Sequence, residues 1–64
     1  MNNMTDKDLF MEVFNRIAGS RPNITMSGTL VYLNGEPKFN TDGYTLAYNL
    51  FRFTNLLKDN GEFF

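Results

Sequence analysis

Residues 29–40 read TLVYLNGEPKFN, and this stretch predicts a β-hairpin. The run 29–33 is rich in β-branched and aromatic residues, which favour β-strands. Asn34 and Gly35 follow it, and Asn-Gly is typical of a two-residue hairpin turn because both of its positions require a positive φ angle. The stretch is therefore expected to form two antiparallel strands joined at Asn34-Gly35.

The turn also predicts which strand residues share a face. With Asn34-Gly35 as the loop, Leu33 lies opposite Glu36, and side chains further out alternate between the two faces of the hairpin. One face then carries Leu30, Tyr32, Pro37 and Phe39, with Met26 further out. The other face carries Val31 and Leu33 among mainly polar residues. We expect the first face to be the core and the second to be solvent-exposed.

Helices are predicted on both sides of the hairpin. From Asp6 to Ala18 the apolar residues recur at helical spacing, and Thr5 precedes them as a candidate N-cap. A second helix is predicted from a cap at Thr41 or Asp42 to about Lys58, before the stop signal at 59–61. The expected fold is α+β in the order αββα, one small domain over residues 1–64 with both helices packed on one face of the hairpin.

Two segments are less well defined by their sequence. Residues 1–4 show no periodicity, which predicts a loose N-terminal tail. The segment Ile24–Ser27 could add a third strand, but its pattern is short, and this alternative is left open.

The composition limits the classes of protein to which the chain can belong. Its 64 residues include no cysteine and no histidine, while 42% are hydrophobic and 16% aromatic. A chain this short has little surface to bury, so its stability must come from dense packing of large side chains or from an oligomer. The usual ligand sets for zinc, haem and iron–sulfur clusters are missing, so we expect no metal and no cofactor.

The chemistry needed for catalysis is also not indicated. Without histidine and cysteine, the commonest general base and the strongest nucleophile are absent. The carboxylates are better explained as helix caps, so we expect no catalytic residue and no small-molecule substrate, with a weak carboxylate enzyme as the remaining enzymatic alternative. No signal peptide or membrane-spanning run is visible, which predicts a cytoplasmic protein without membrane association.

Residues 43–58, GYTLAYNLFRFTNLLK, carry more apolar surface than one helix needs. On a helical wheel the apolar side chains cover roughly 220°, whereas a surface helix needs a stripe a little over 100° wide. Four of them suffice for the core: Leu46, Leu50, Phe53 and Leu57. The polar strip contains Thr45, Asn49, Arg52 and Asp59, with Leu56 inside it. No part of the chain obviously covers Tyr44, Tyr48 and Phe51.

This surplus predicts a protein-binding surface. Aromatic residues and arginine are enriched in interface cores, which makes Tyr44, Tyr48, Phe51 and Arg52 the main candidates. Secondary candidates are Phe63, Phe64 and the strand edge 29–33. The partner would be another protein or a second copy of the chain, and the role that of a regulator or phage-type inhibitor that occupies a partner's surface. The alternative is that these aromatic side chains simply fill a small core.

Nucleic-acid binding is the second functional hypothesis. It would use the hairpin together with Arg21, Lys38 and Arg52. Binding to a phosphate backbone depends on clustered cations. The net charge here is −1, and lysine and arginine are spread evenly along the chain, so the composition argues against this function.

Overall fold

The computed structural model describes residues 4–62, which form two helices and a three-stranded antiparallel sheet. The elements are α1 (Asp6–Ala18), β1 (Ile24–Ser27), β2 (Leu30–Leu33), β3 (Glu36–Asn40) and α2 (Leu46–Asp59). The predicted α+β fold, with a hairpin between two helices, is confirmed. The segment that was left open forms β1. Of the predicted N-terminal tail, only Met4 lies within the described residues.

Two tight turns build the sheet. Asn34 and Gly35 both have positive φ angles, 56° and 82°, so the predicted hairpin turn is confirmed. A second two-residue turn joins Ser27 to Leu30, and its first residue, Gly28, has φ 61°. Glycine at this position is typical of a type II′ turn. This turn brings β1 against β2.

The predicted core face of the hairpin is wrong. The first two predicted pairs, Leu33 with Glu36 and Tyr32 with Pro37, are present. The register then shifts, so that Val31 lies opposite Phe39. Val31 and Leu33, expected to face solvent, are buried. Of the side chains expected in the core, Phe39 is buried as predicted, whereas the others are partly buried (Met26, Leu30, Tyr32) or exposed (Pro37).

A β-bulge at Lys38 is the physical reason for this difference. The bulge places one extra residue in β3, which moves every later side chain of that strand to the other face of the sheet. Phe39 therefore joins Val31 and Leu33, and β1 adds Ile24 opposite Leu33. All four side chains belong to the buried core cluster that also contains Phe10, Phe14 and Phe53 of the helices.

The sheet order also corrects the predicted strand edge. β2 pairs with β1 on one side and β3 on the other, so the run 29–33 is not available for the addition of another strand. The open edges of the sheet belong to β1 and β3. Pro37 lies in β3, and an edge strand is where proline is tolerated, since it has no N–H to donate.

Aromatic rings from both helices and from β3 meet in the core. Phe53 of α2 lies 5.9 Å from Phe10 and 5.4 Å from Phe14, measured between ring centroids, and Phe39 lies 6.4 Å from Phe10. Aliphatic side chains complete the buried cluster: Ile24, Val31, Leu33, Leu56 and Leu57. Large side chains thus supply the packing that a chain without cysteine cannot obtain from disulfides.

The N-terminus of α1 agrees with the sequence, and that of α2 does not. The Thr5 hydroxyl accepts from the Asp8 N–H at 3.1 Å, which confirms the predicted cap. The cap of α2 is Thr45, whose hydroxyl accepts from the Tyr48 N–H at 3.1 Å. The predicted caps Thr41 and Asp42 are wrong, because the helix begins only at Leu46. The N–H and the hydroxyl of Thr41 both donate to the carbonyl oxygen of Thr29.

The helix α2 keeps all four predicted core side chains in or against the core, with Phe53 and Leu57 buried and Leu46 and Leu50 partly buried, but it is rotated relative to its predicted orientation. Asn49 and Leu56, assigned to the polar strip, are buried together with Phe53 and Leu57. The Asn49 side chain donates to the carbonyl oxygen of Thr41 at 3.0 Å, which ties the helix to the loop that precedes it. This rotation turns the opposite side of α2 towards solvent.

Neither helix in the described range 4–62 combines the length and the apolar character that a bilayer crossing requires. The cytoplasmic location expected from the sequence stays a prediction.

Candidate protein-binding site

Three large aromatic side chains are exposed on the outer side of α2 and the loop before it. The exposed fractions are 53% for Tyr44, 47% for Tyr48 and 58% for Phe51. The alternative that these side chains fill the core is therefore wrong. Together with Arg52, they are called here the aromatic–arginine cluster.

The three rings form a continuous row. Tyr48 and Phe51 are three residues apart on α2, a spacing that makes side chains neighbours on a helix, and their ring centroids are 6.3 Å apart. Tyr44 lies in the loop before the helix rather than on it, with its ring 5.4 Å from Tyr48. The interplanar angles are 27° and 33°, so the rings lie nearly parallel. The row presents one contiguous aromatic surface.

Arg52 is held in place by rings from three different parts of the chain. The guanidinium carbon lies 4.4 Å from the ring centroid of Tyr44, 5.3 Å from that of Tyr48 and 4.7 Å from that of Phe39. All three distances are within the range of cation–π attraction. The Nη2 group also donates to the carbonyl oxygen of Asn40 at 3.2 Å. The side chain is therefore restrained by four neighbours although it remains partly exposed.

No carboxylate neutralises this arginine within residues 4–62. The ion pairs of the described chain join Arg16 to Glu12, Arg21 to Glu62 and Lys38 to Glu36. The stretch 43–58 contains Arg52 and Lys58 but no aspartate or glutamate. The aromatic surface thus carries positive charge without a compensating negative group of its own.

Arg52 also lines a cleft between α2 and β3. The cleft has a volume of about 180 Å³ and is lined by Lys38, Phe39, Arg52, Asn55, Leu56 and Asp59. The bulge residue Lys38 is exposed at this cleft, with its Nζ atom 3.5 Å from a Glu36 oxygen. Phe39 and Leu56 supply apolar walls. Sequence reasoning missed this cleft, because the bulge that places Lys38 and Phe39 there has no local signal.

The cations proposed for nucleic-acid binding are not all brought together. Lys38 and Arg52 share the cleft, but Arg21 is not part of it. The Nε atom of Arg21 instead lies 2.6 and 2.7 Å from the two carboxylate oxygens of Glu62, and its Nη1 atom donates to the carbonyl oxygen of Ile17. The last two predicted contact residues, Phe63 and Phe64, lie outside the described residues.

The Arg21–Glu62 ion pair predicts a pH-dependent stability. Hydrogen bonding from Arg21 lowers the pKa of Glu62 below its ordinary value of 4.5, against a smaller opposing effect of burial, with a further bond from Asn60. Folding therefore favours the ionised carboxylate. Its stabilisation is complete above the unfolded-state pKa and disappears as the pH falls through the lower folded-state pKa.

We expect Glu62→Gln to flatten this acid dependence. Urea denaturation of both proteins between about pH 6 and pH 3 should show wild type losing more unfolding free energy than the variant. The control is Glu36→Gln, which removes an exposed carboxylate from the longer ion pair with Lys38. A Glu62→Gln protein with the same pH profile as wild type would contradict the assignment.

A second cleft, about 150 Å³ in volume, lies near Tyr44 and the start of α1. Asn49 lines it, and the Oδ1 atom of this side chain is the buried polar atom that finds no hydrogen-bond donor within residues 4–62. That oxygen has almost no accessible surface, so it is not presented to a ligand in the cleft.

The described residues contain no cluster of metal-ligand side chains. No group of three or more aspartate, glutamate, cysteine or histidine side chains is placed to hold a metal ion between residues 4 and 62. The expectation of a protein without metal, cofactor or catalytic residues stays a prediction.

Comparison with known proteins gives no match to a protein-family model, to a curated protein or to a solved structure.

Proposed function

We propose that this protein is a non-enzymatic protein-interaction module that binds through the aromatic–arginine cluster. The observation that carries the proposal is the row of Tyr44, Tyr48 and Phe51, each about half exposed, together with Arg52, which is restrained by the first two of these rings. The largest contiguous apolar patch on a protein surface is often a functional one.

The residue types of the cluster fit the centre of a protein interface. Tyrosine and arginine are enriched among the residues that contribute most to binding energy. The contacts of Arg52 with three rings and one carbonyl hold its side chain in one arrangement before binding. Since less side-chain freedom remains to be lost, the entropic penalty of association is reduced.

The size of the cluster favours a modest affinity. A stable interface covers about 800 Å² on each partner, which is close to a fifth of the 4437 Å² surface of the described chain. Aromatic side chains bury about 150–250 Å² each when fully covered, so three half-exposed rings supply less than half of that area. Contacts around the cluster must supply the rest, or the complex is transient.

The proposed mode of action is steric occupation of a partner's surface. A regulatory or phage-type inhibitor of this size acts by covering a site on a larger protein, and the regulatory role is proposed here by that analogy. A second copy of the chain is the other partner that the same surface would suit.

Selection of short random peptides on the immobilised protein tests the proposal. We expect recovered peptides to bind through large apolar side chains and to lose affinity by about tenfold or more on the double variant Tyr48→Gln/Phe51→Gln. Glutamine is a good helix former, and both positions are exposed, so the variant should keep its unfolding free energy within about 1 kcal/mol of wild type.

Leu9→Gln is the matched control, because Leu9 is an exposed apolar residue of α1 outside the cluster. Peptide binding should survive this change. Peptides that bind wild type and the double variant equally well would contradict the proposed surface, as would a double variant that unfolds. Concentration-dependent sedimentation that is abolished by the double variant would identify a second copy as the partner.

A further inference from the structure

We propose that the cleft beside Arg52 is a carboxylate-binding site, so that the partner presents an acidic side chain next to a large apolar one. This inference rests on the proposed function and adds the chemistry of the partner. The occupant is an acidic segment of another protein.

Most N–H donors of the Arg52 guanidinium make no hydrogen bond within residues 4–62. Arginine carries five N–H donors in a planar fork. Within residues 4–62, the Arg52 guanidinium donates one hydrogen bond, to the carbonyl oxygen of Asn40. The rings of Tyr44, Tyr48 and Phe39 restrain the position of the fork. A restrained planar fork suits the two oxygens of a carboxylate, which it can bind with two parallel hydrogen bonds.

The charges around the cleft favour an anion at the Arg52 end. Lys38 lines the same cleft and adds a second cation, whose pairing with Glu36 is long at 3.5 Å and exposed. Asp59 also lines the cleft and is the one acidic side chain among its lining residues. It lies seven residues beyond Arg52 on α2, about 10 Å along the helix axis. The carboxylate of the partner should therefore bind between Arg52 and Lys38, away from Asp59.

The exposed rings near Arg52 indicate which type of partner side chain should lie next to the bound carboxylate. The Tyr48 ring contacts the Arg52 guanidinium, and the Phe51 ring lies next to Tyr48, with the two centroids 6.3 Å apart. A partner whose carboxylate reaches Arg52 places its adjacent side chain close to these two rings. A large apolar side chain there would cover exposed aromatic surface, which is favourable.

A protein carboxylate fits this surface better than a nucleic-acid phosphate. Binding to a nucleic acid draws its strength from several cations acting together. Arg21 is already paired with Glu62, and the chain as a whole carries a net charge of −1. Two cations at one cleft suit a single acidic side chain.

The matched probes N-acetyl-phenylalanine and N-acetyl-phenylalaninamide test the inference. They share one ring and differ in the carboxylate. In ¹H–¹⁵N NMR titrations we expect the acid to shift the Arg52 Nε–H resonance with a Kd of about 1–10 mM. The amide should bind at least about tenfold more weakly than the acid.

Four variants test the assignment to Arg52. Arg52→Gln should abolish the preference for the acid, and Arg52→Lys, which keeps the charge but not the fork, should reduce it. Lys58→Gln is the control, since it removes one positive charge from the same helix at an exposed position outside the cleft. It should leave the preference intact. Asp59→Asn should strengthen binding of the acid, by about twofold at low salt.

The possible failures are distinguishable. Equal binding of acid and amide, or a preference for the acid that survives Arg52→Gln in a protein with an unchanged amide spectrum, would overturn the carboxylate site and leave the proposed aromatic surface standing. Tighter binding of inorganic phosphate or oligothymidylate than of the acid would overturn it in favour of nucleic acid. Absence of binding by either probe would overturn it as well, while the peptide selection still decides the proposed function.

Discussion

Phe53→Ala should leave most of the protein unfolded at 25 °C. Phe53 is 2% exposed and lies between Phe10 and Phe14, with ring centroids 5.9 and 5.4 Å away. Truncation of a buried phenylalanine costs about 3–5 kcal/mol, because the cavity that remains closes only in part. A domain of this size without disulfides has a total stability of about 3–5 kcal/mol, so little or none would remain.

Urea denaturation followed by circular dichroism measures this effect. Phe51→Ala is the matched control, since it is the same substitution two residues away on α2, at a side chain that is 58% exposed. It should cost less than about 1 kcal/mol. Similar losses for the two variants would mean that the buried and exposed sides of α2 are assigned wrongly.

Leu33→Ala should destabilise the protein far more than Leu30→Ala, although both residues lie in β2. Leu33 is 5% exposed and faces Ile24 of β1, whereas Leu30 is only partly buried on the opposite face. We expect a loss of about 2–5 kcal/mol for Leu33→Ala and less than half of that for Leu30→Ala.

The two leucine variants decide between the two possible core faces of the hairpin. A hairpin without a bulge would bury Leu30 together with Phe39 and would reverse the order of the losses. Because Leu33→Ala could unfold the protein in plain buffer, both variants should be measured in trimethylamine N-oxide, which strengthens folding of each. A larger loss for Leu30→Ala would contradict the bulge at Lys38.

Features that depend on neighbouring residues were predictable from the sequence. The Asn34-Gly35 turn requires positive φ at both positions, which Asn-Gly accommodates better than other pairs, and the structure has it. The cap at Thr5 depends only on the next three residues, and it is present too. Both helices and the hairpin follow from residue types and their spacing, whereas the sequence left open whether Tyr48 and Phe51 are exposed or fill the core.

The faces of the strands and of α2 could not be predicted in the same way. Val31 is buried because Phe39 moves beside it at the bulge, and no local pattern marks that bulge. Asn49 is buried because its side chain reaches the carbonyl oxygen of Thr41, eight residues earlier. In each case the deciding contact joins different elements, and its energy is absent from any single segment.

The candidate site was also predictable only in part. The helical-wheel pattern of residues 43–58 identified the candidates as side chains that the core does not need: Tyr44, Tyr48, Phe51 and Arg52. Their assembly into one site depends on contacts between elements: Phe39 from β3 and Tyr44 from the preceding loop restrain Arg52, and Lys38 reaches the same cleft. Local propensity and periodicity are properties of consecutive residues. The core face and the environment of Arg52 are settled only when the sheet and α2 pack, because the burial and the ring contacts that favour them exist only in the packed chain.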